Sequence, residues 1–215
     1  MRQFVVIGLG RFGSSVAKTL HAMGYEVLGV DNHSDRIQGA ASYLTHVVQA
    51  DATDEEVLKN LGIRNFDCAV VSIGEDIQAS ILVTVLLKEM GIKYVVAKAL
   101  NDLHAKVLSK IGADRIVFPE REMGARVAHN LVSSHVLDYI QLSPDHNIVE
   151  VEASPDWNGK TLRHLNFRSR FGVNVLAIKR GKQINVSPTA DDVVMAGDIL
   201  VVVGETDNLR RLEEY

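Results

Sequence analysis

Short runs of apolar and β-branched residues alternate with helix-length stretches from Gln3 to Phe118: Phe4–Ile7, Val27–Val30, His46–Gln49, Ala69–Ile73, Tyr94–Ala97 and Ile116–Phe118. A crossover long enough to hold a helix returns the chain to the same end of a sheet, so strands joined this way run parallel. The pattern predicts an α/β fold, a Rossmann-type doubly wound parallel sheet complete by Phe118. Glu120–His135 then reads as a helix following Pro119, with Met123, Val127, Leu131 and Val132 on one face. That helix is expected to leave the sheet and pack elsewhere, on a second subunit for instance. Beyond Leu137 the period changes. Tyr139–Leu142, Ile148–Val151, Val173–Ile178, Ile184–Val186 and Ile199–Val203 are short strands split by turn dipeptides, and only Leu162–Leu165 and Asp207–Tyr215 carry a helical pattern. The expected organisation is a Rossmann domain with its crossover helix over residues 1–137, followed by a small α+β domain over residues 138–215.

The first apolar run ends in Gly8-Leu9-Gly10-Arg11-Phe12-Gly13, and Asp31 closes the second. At Gly8 a side chain would block the tight turn. Gly10 lets backbone N–H groups approach a diphosphate, and Gly13 lets the following helix pack close to the strand. A helix N-terminus supplies aligned N–H groups and partial positive charge, so phosphate needs no lysine there. A carboxylate at Asp31 can accept hydrogen bonds from both ribose hydroxyls and is expected to repel a 2′-phosphate. Alone the glycine motif is weak. With a strand before it, a helix after it and an acid at the right distance, it points to an adenine nucleotide. Arg11 is the unusual letter. A guanidinium beside the cradle adds charge-assisted hydrogen bonds, each worth about 1.5–3 kcal/mol net, and favours a ligand with more phosphate charge than NAD. The alternative is an exposed arginine with no specific role.

The 215 residues are 47% hydrophobic, enough for one large core or two smaller ones, and the net charge of −4 argues against a nucleic-acid partner. The single cysteine, Cys68, cannot form an intrachain disulfide and reads as a small buried hydrophobe in a reducing cytoplasm rather than a nucleophile. A strand begins almost at once, so no signal peptide is expected, and the apolar runs near Ser80–Leu87 and Ile199–Val203 are too short to span a bilayer. The chain is therefore expected to be soluble, with any membrane role acting through a partner. Gly159-Lys160-Thr161 resembles the end of a P-loop, but Ser154 stands where the first glycine is required, so a turn and helix cap is the expectation. The eight histidines show no metal-ligand spacing, and no nucleophile–base pair is visible. A nucleotide is expected to bind without being transformed.

Several blocks carry a resemblance beyond the glycine loop: Ala50-Asp51-Ala52-Thr53, Ser72-Ile73-Gly74, Lys98-Ala99, Ile111-Gly112-Ala113-Asp114 and Phe118-Pro119-Glu120-Arg121-Glu122-Met123-Gly124. With Gly8–Gly13 they resemble the RCK (regulator of potassium conductance) domain of Trk/Ktr potassium-uptake systems. The tail, from Gly159-Lys160-Thr161-Leu162 through Pro188-Thr189 to Gly197-Asp198-Ile199-Leu200, is similar to the TrkA-C module. The likeness spans almost the whole chain and is strongest to the single-RCK regulatory subunit of Ktr systems.

The resemblance implies a cytosolic homo-oligomer, usually an octameric ring of dimers, at the inner face of the membrane under a potassium-conducting Ktr/Trk subunit. ATP would favour its active shape and ADP the inactive one, with NAD(H) able to enter the same cleft. By position, Gly10, Arg11 and Phe12 would hold phosphates, Asp31 and Asn32 the ribose, and Asp51 and Ala52 would flank the adenine. Ser72, Ile73, Gly74 and Lys98 would line the cleft. Glu120 would sit near the terminal phosphate, where a carboxylate needs an intervening cation such as Mg2+. The alternative for Glu120 is compensation of a helix dipole. Some such subunits bind cyclic di-AMP at a two-fold axis of the C-terminal module. Here Arg168 and Arg170 would supply charge beside Phe171, Val173 and Val175, while Asn174 would read a base edge and Pro188 cover the base. Otherwise those arginines are solvated turn residues and the apolar set is dimer core.

Two other classes compete with this reading. An NAD(H)-dependent oxidoreductase would leave Arg11, the missing acid–base pair and the small second domain unexplained. A redox-sensing Rossmann regulator of transcription would need a basic DNA-reading helix that the charge does not favour.

Overall fold

The computed structural model describes residues 2–132, 136–143 and 145–213. By its internal contacts the chain divides into Met1–Pro119 and Glu120–Tyr215.

In the first unit each strand is followed by a helix: β1 (Gln3–Ile7), α1 (Arg11–Ala22), β2 (Glu26–Asp31), α2 (Ser34–Ala40), β3 (His46–Gln49), α3 (Glu55–Asn60), β4 (Cys68–Val71), α4 (Ile77–Glu89), β5 (Tyr94–Lys98), α5 (Asp102–Lys110) and β6 (Arg115–Val117). The six strands form one parallel sheet in the order β3-β2-β1-β4-β5-β6. They stand where the apolar runs predict. Successive side chains of a strand point to opposite faces. Val5 and Ile7 therefore join one apolar layer with Val30, Val71, Val83 and Leu87, while Val6 joins the other with Leu9, Ala17 and Val70. A sheet covered on both faces needs such continuous apolar strands. Side chains cap three of these helix starts. Asp54 accepts from the N–H groups of Glu56 and Val57, Asp76 from Ala79 and Asn101 from His104.

The second unit opens with α6 (Pro119–Val132), of which Pro119 itself groups with the first. It continues through β7 (Val136–Gln141), β8 (His146–Glu152), β9 (Lys160–Thr161), α7 (Leu162–Leu165), α8 (Phe167–Phe171), β10 (Asn174–Arg180), β11 (Gln183–Asn185), β12 (Val193–Val194), β13 (Ile199–Glu205) and α9 (Thr206–Glu213). Five strands pair antiparallel in the order β11-β10-β13-β8-β7, and β12 with β9 makes a two-stranded ribbon. One face of the larger sheet presents Val149, Val151, Leu200 and Val202 to Trp157, Leu165, Phe167, Phe171 and Leu209. The predicted α+β module is present.

Three details differ from the sequence reading. A division at residues 137/138 would cut β7, which already pairs with β8 at Val136, and α6 groups with the second unit. Helix α8 was not expected: it is a single turn, with Phe167 and Phe171 four residues apart and both buried beside Trp157. The two-residue strands β9 and β12 are too short to leave a period. His135 and Tyr215, the far ends of two predicted helices, lie outside the described residues. Within α6, Met123, Val127 and Leu131 are 54%, 48% and 82% exposed, so the apolar face read from the sequence is open to solvent.

Candidate functional site

The strand order reverses between β1 and β4, and there the carboxyl ends of neighbouring strands open a crevice. Gly8 leaves β1 with φ +92°, and a Cβ on it would lie 2.9 Å from the carbonyl carbon of Ser72 at the end of β4. Only glycine takes that turn without strain. A Cβ on Gly13 would fall 1.9 Å from the Gly8 carbonyl oxygen, so its absence lets α1 sit directly against the turn. A Cβ on Gly10 would meet nothing within 4 Å, which leaves the backbone there facing open space. The tight turn read at Gly8 and the close helix packing read at Gly13 are those of the structure.

Gly10 is the N-cap of α1 and brings no side-chain hydrogen bond to the helix start, and no acidic residue occupies the first turn. The first turn of the helix thus carries no acidic side chain of its own against its positive end. Arg11 is its first residue and is exposed, Phe12 is half-buried and Gly13 buried. Beneath the loop the Ser72 hydroxyl is buried with no hydrogen-bond partner among the described residues, 3.0 Å from where a Cβ on Gly13 would lie. Ile73 and Gly74 continue from Ser72, and the Lys98 ammonium at the end of β5 would lie 3.4 Å from a Cβ on Gly74. The loop, Ser72–Gly74 and Lys98 therefore gather at the carboxyl ends of β1, β4 and β5.

Asp31 ends β2 on the other side of β1. Its carboxylate accepts from the Leu9 N–H at 2.6 Å, which ties the glycine loop to β2. It also accepts from the His33 N–H at 2.9 Å, contacts His33 Nδ1 at 3.0 Å and accepts from Arg36 Nη1 at 3.3 Å. Burial alone would raise its pKa. The His33 and Leu9 amides, helped by the His33 and Arg36 side chains, outweigh burial and hold it below the ordinary value. Asn32 follows, exposed, with its carbonyl oxygen accepting from Gln49 Nε2 at 3.1 Å. Asp51 accepts from the Thr53 hydroxyl at 2.7 Å and the Thr53 N–H at 2.9 Å, and these bonds hold its pKa down. Its side chain is thus engaged by its own turn, and the neighbouring Ala52 is buried. The sequence reading assigned no role to His33 and did not single out Arg36. The signal available was a donor pair within five residues of Asp31, at the N-cap and in the first turn of α2.

A cavity of about 520 Å3 opens at the amino ends of β1, β2 and β3, bounded by Gln3, Glu26, His46 and Phe66, at the opposite end of the strands from the glycine loop. Glu120 stands in the first turn of α6, in the second unit. Among the described residues no group of three or more His, Cys, Asp or Glu side chains gathers.

In the second unit Arg168 and Arg170 are exposed on α8, and the Arg170 guanidinium lies 5.1 Å from the Phe171 ring centroid. Phe171, at the end of α8, and Val173, just before β10, are themselves core residues, 8% and 0% exposed. Val175 packs partly against the same core, Asn174 is exposed at the start of β10, and Pro188 is half-buried in the loop after β11.

These features define a Rossmann-type domain with a glycine-loop crevice, followed by a small antiparallel module. Residues 4–119 match the family model of the TrkA-N domain and residues 148–215 that of the TrkA-C domain, and the chain belongs to this TrkA-N/TrkA-C family. It is 52% identical to Ktr system potassium uptake protein C of Bacillus subtilis (strain 168), over 99% of this chain and 96% of the relative. It is 48% identical to Ktr system potassium uptake protein A of the same organism, over 99% and 96%. The protein A of Vibrio alginolyticus is 41% identical over 97% and 94%. Among solved structures, the GsuK channel bound to NAD superposes with a TM-score of 0.67 at 18% identity, covering 99% of this chain and 39% of that one. The TrkA-N domain of inner membrane protein ybaL from Escherichia coli gives 0.55 at 17% identity, covering 61% and 96%. These structural likenesses concern the fold. Among the described residues no helix is long and apolar enough to cross a membrane.

Proposed function

We propose that this chain is a nucleotide-sensing regulatory subunit of a potassium-uptake system, acting at the inner face of the membrane on a potassium-conducting Ktr/Trk subunit. The observation that carries the reading is the uncapped, acid-free N-terminus of α1 at the switch point of the sheet. It is joined by the 52% identity to a Ktr potassium uptake protein over nearly the whole chain.

ATP and ADP compete for the crevice, and NAD(H) enters it in the same way. The amides following Gly10 hold phosphate, Arg11 reaches the terminal phosphate, and the ribose lies at the Asp31–Asn32 end. Ala52 flanks the adenine, and Ser72–Gly74 with Lys98 line the floor. Glu120 contributes one oxygen to a cation, such as Mg2+, carried by ATP. The chain acts without catalysis, by shifting populations. If ATP binds one ring shape 100-fold better than another, each site biases the equilibrium by about 2.7 kcal/mol, and symmetric copies add. The open stripe on α6 serves as a subunit contact in a ring of dimers. Cyclic di-AMP binds the C-terminal module through Arg168, Asn174 and Pro188.

Equilibrium titration of the full chain with ATP, ADP, NADH and cyclic di-AMP, each with and without Mg2+, tests the reading. We expect saturable ATP and ADP binding, one per chain, and no nicotinamide turnover. Absence of binding by every nucleotide would sink it.

A further inference from the structure

Helix α5 begins with a histidine whose ring turns back toward the chain that leads into the helix. His104 stands three residues after the N-cap Asn101, whose side-chain oxygen accepts the His104 N–H at 2.9 Å. A side chain at that position of a helix can reach amides at and ahead of the cap. Here the ring Nδ1 accepts the Leu100 N–H at 3.3 Å. An imidazole nitrogen that accepts carries no proton, so the ring is neutral and its proton sits on Nε2. That nitrogen is buried with no hydrogen-bond partner among the described residues, and the residue is 2% exposed. A buried donor left unpaired is a cost, and here it accompanies an acceptor offered to Leu100.

Leu100 lies in the connection between β5 and α5, two residues beyond Lys98. The Ala99 N–H is fixed on the Val117 carbonyl of β6 at 3.0 Å, and the Leu100 bond is the next tie along the connection. Lys98 stands at the carboxyl end of β5, with its ammonium beside Gly74. A proton added to Nδ1 would set donor against donor at Leu100 and place a charge in a buried site. Helices and strands packed on α5 bring Lys88 and Glu89 from α4 and Arg115 from β6, with Asp114 just before it, and α5 itself carries Asp102, Lys106 and Lys110. None of them offsets such a charge: burial is the cause that holds His104 below the ordinary histidine value of 6.5.

Resting on the nucleotide reading above, we propose that His104 is a positioning residue of the crevice: its neutral ring fastens the β5–α5 connection next to Lys98, and a proton on that ring releases the connection and weakens nucleotide binding. The histidine acts through the Leu100 amide and Lys98 and touches no ligand itself.

Asparagine offers an amide oxygen near the place of Nδ1 and does not titrate, so His104→Asn keeps the acceptor and removes the proton. The test is the ADP affinity of the full chain and of this variant at pH 7.5 and pH 5. We expect the two chains to agree within twofold at pH 7.5, and the unaltered chain to bind at least threefold more weakly than the variant at pH 5. Ionisation of ADP and of His33 is common to both chains and cancels in that ratio. In the ligand-free, unaltered chain, protection of the Leu100 amide from hydrogen exchange should fall at least tenfold over the same range while that of Ala99 holds. This second measurement decides the matter if the variant does not fold. A Leu100 amide whose protection is unchanged would overturn the proposal. If ADP binds with the same pH dependence in both chains, the proposal falls and the nucleotide reading stands. If neither ADP nor ATP binds at either pH, both fall.

Discussion

Arg11 and Gly13 are neighbours in the loop with opposite physical duties. Arg11 is exposed at the uncapped start of α1 and adds charge without structural obligation. Arg11→Ala should weaken ATP by about 1.5–3 kcal/mol and ADP by less, read by titration. Equal losses would show that the guanidinium does not reach the terminal phosphate. Gly13 has no room at all, since its Cβ would overlap the Gly8 oxygen. Gly13→Ala should cost about 1–3 kcal/mol of stability in thermal denaturation, by forcing helix and turn apart. Gly10→Ala, with nothing within 4 Å, should stay within about 0.5 kcal/mol. Equal destabilisation by the two changes would refute the division of roles. Both roles were legible in the sequence because glycine spacing encodes backbone geometry directly. The set of donors around Asp31 was not, because it depends on where the side chains of His33 and Arg36 turn.

At the scale of elements, alternation of β-branched runs with helix-length segments located all six parallel strands, since a buried parallel strand must be apolar on both faces. The same logic missed α8, where one turn holds only Phe167 and Phe171 and leaves no period to read. Helix α6 poses the reverse case: its stripe was legible, and the structure leaves it uncovered. Leu131, 82% exposed, supports nothing within the described chain. Leu131→Ser should therefore leave folding intact and shift the assembly toward smaller species in sedimentation. An unchanged assembly would mean the stripe is not a subunit contact. Glu120→Gln, at the start of the same helix, should abolish the Mg2+ enhancement of ATP affinity and spare ADP. Equal enhancement in the variant would reduce Glu120 to a dipole-compensating carboxylate.

For the whole molecule, carboxylates held below their ordinary pKa couple folding to pH, Asp31, Asp114 and Asp198 among them. Asp198 is buried and accepts from Arg180 Nε at 2.7 Å and Nη2 at 2.6 Å, and this pairing first, with the Met195 N–H, depresses its pKa despite burial. Burial would raise Asp31 and Asp114. The His33 and Leu9 amides outweigh it at the first, and the Val95 amide with Lys88 at the second. Each folded value lies below the unfolded one, so the stabilisation is fully present above the ordinary carboxylate value of 3.8 and is lost as pH falls through the folded values. The melting temperature should hold from neutral pH down to the carboxylate range and fall steeply below it, less steeply in Asp198→Asn. A melting temperature that rises on acidification would contradict these assignments.

The sequence by itself determined the parallel sheet, the small second module and the glycine loop, because periodicity and glycine spacing are local consequences of backbone geometry. Tertiary structure alone decided which side chains are free to act. Packing sent Phe171 into the core and left the α6 stripe open. Folding also gathered the donors of Leu9, His33 and Arg36 on Asp31. Those outcomes depend on which groups meet after folding, and a linear pattern does not record the meeting.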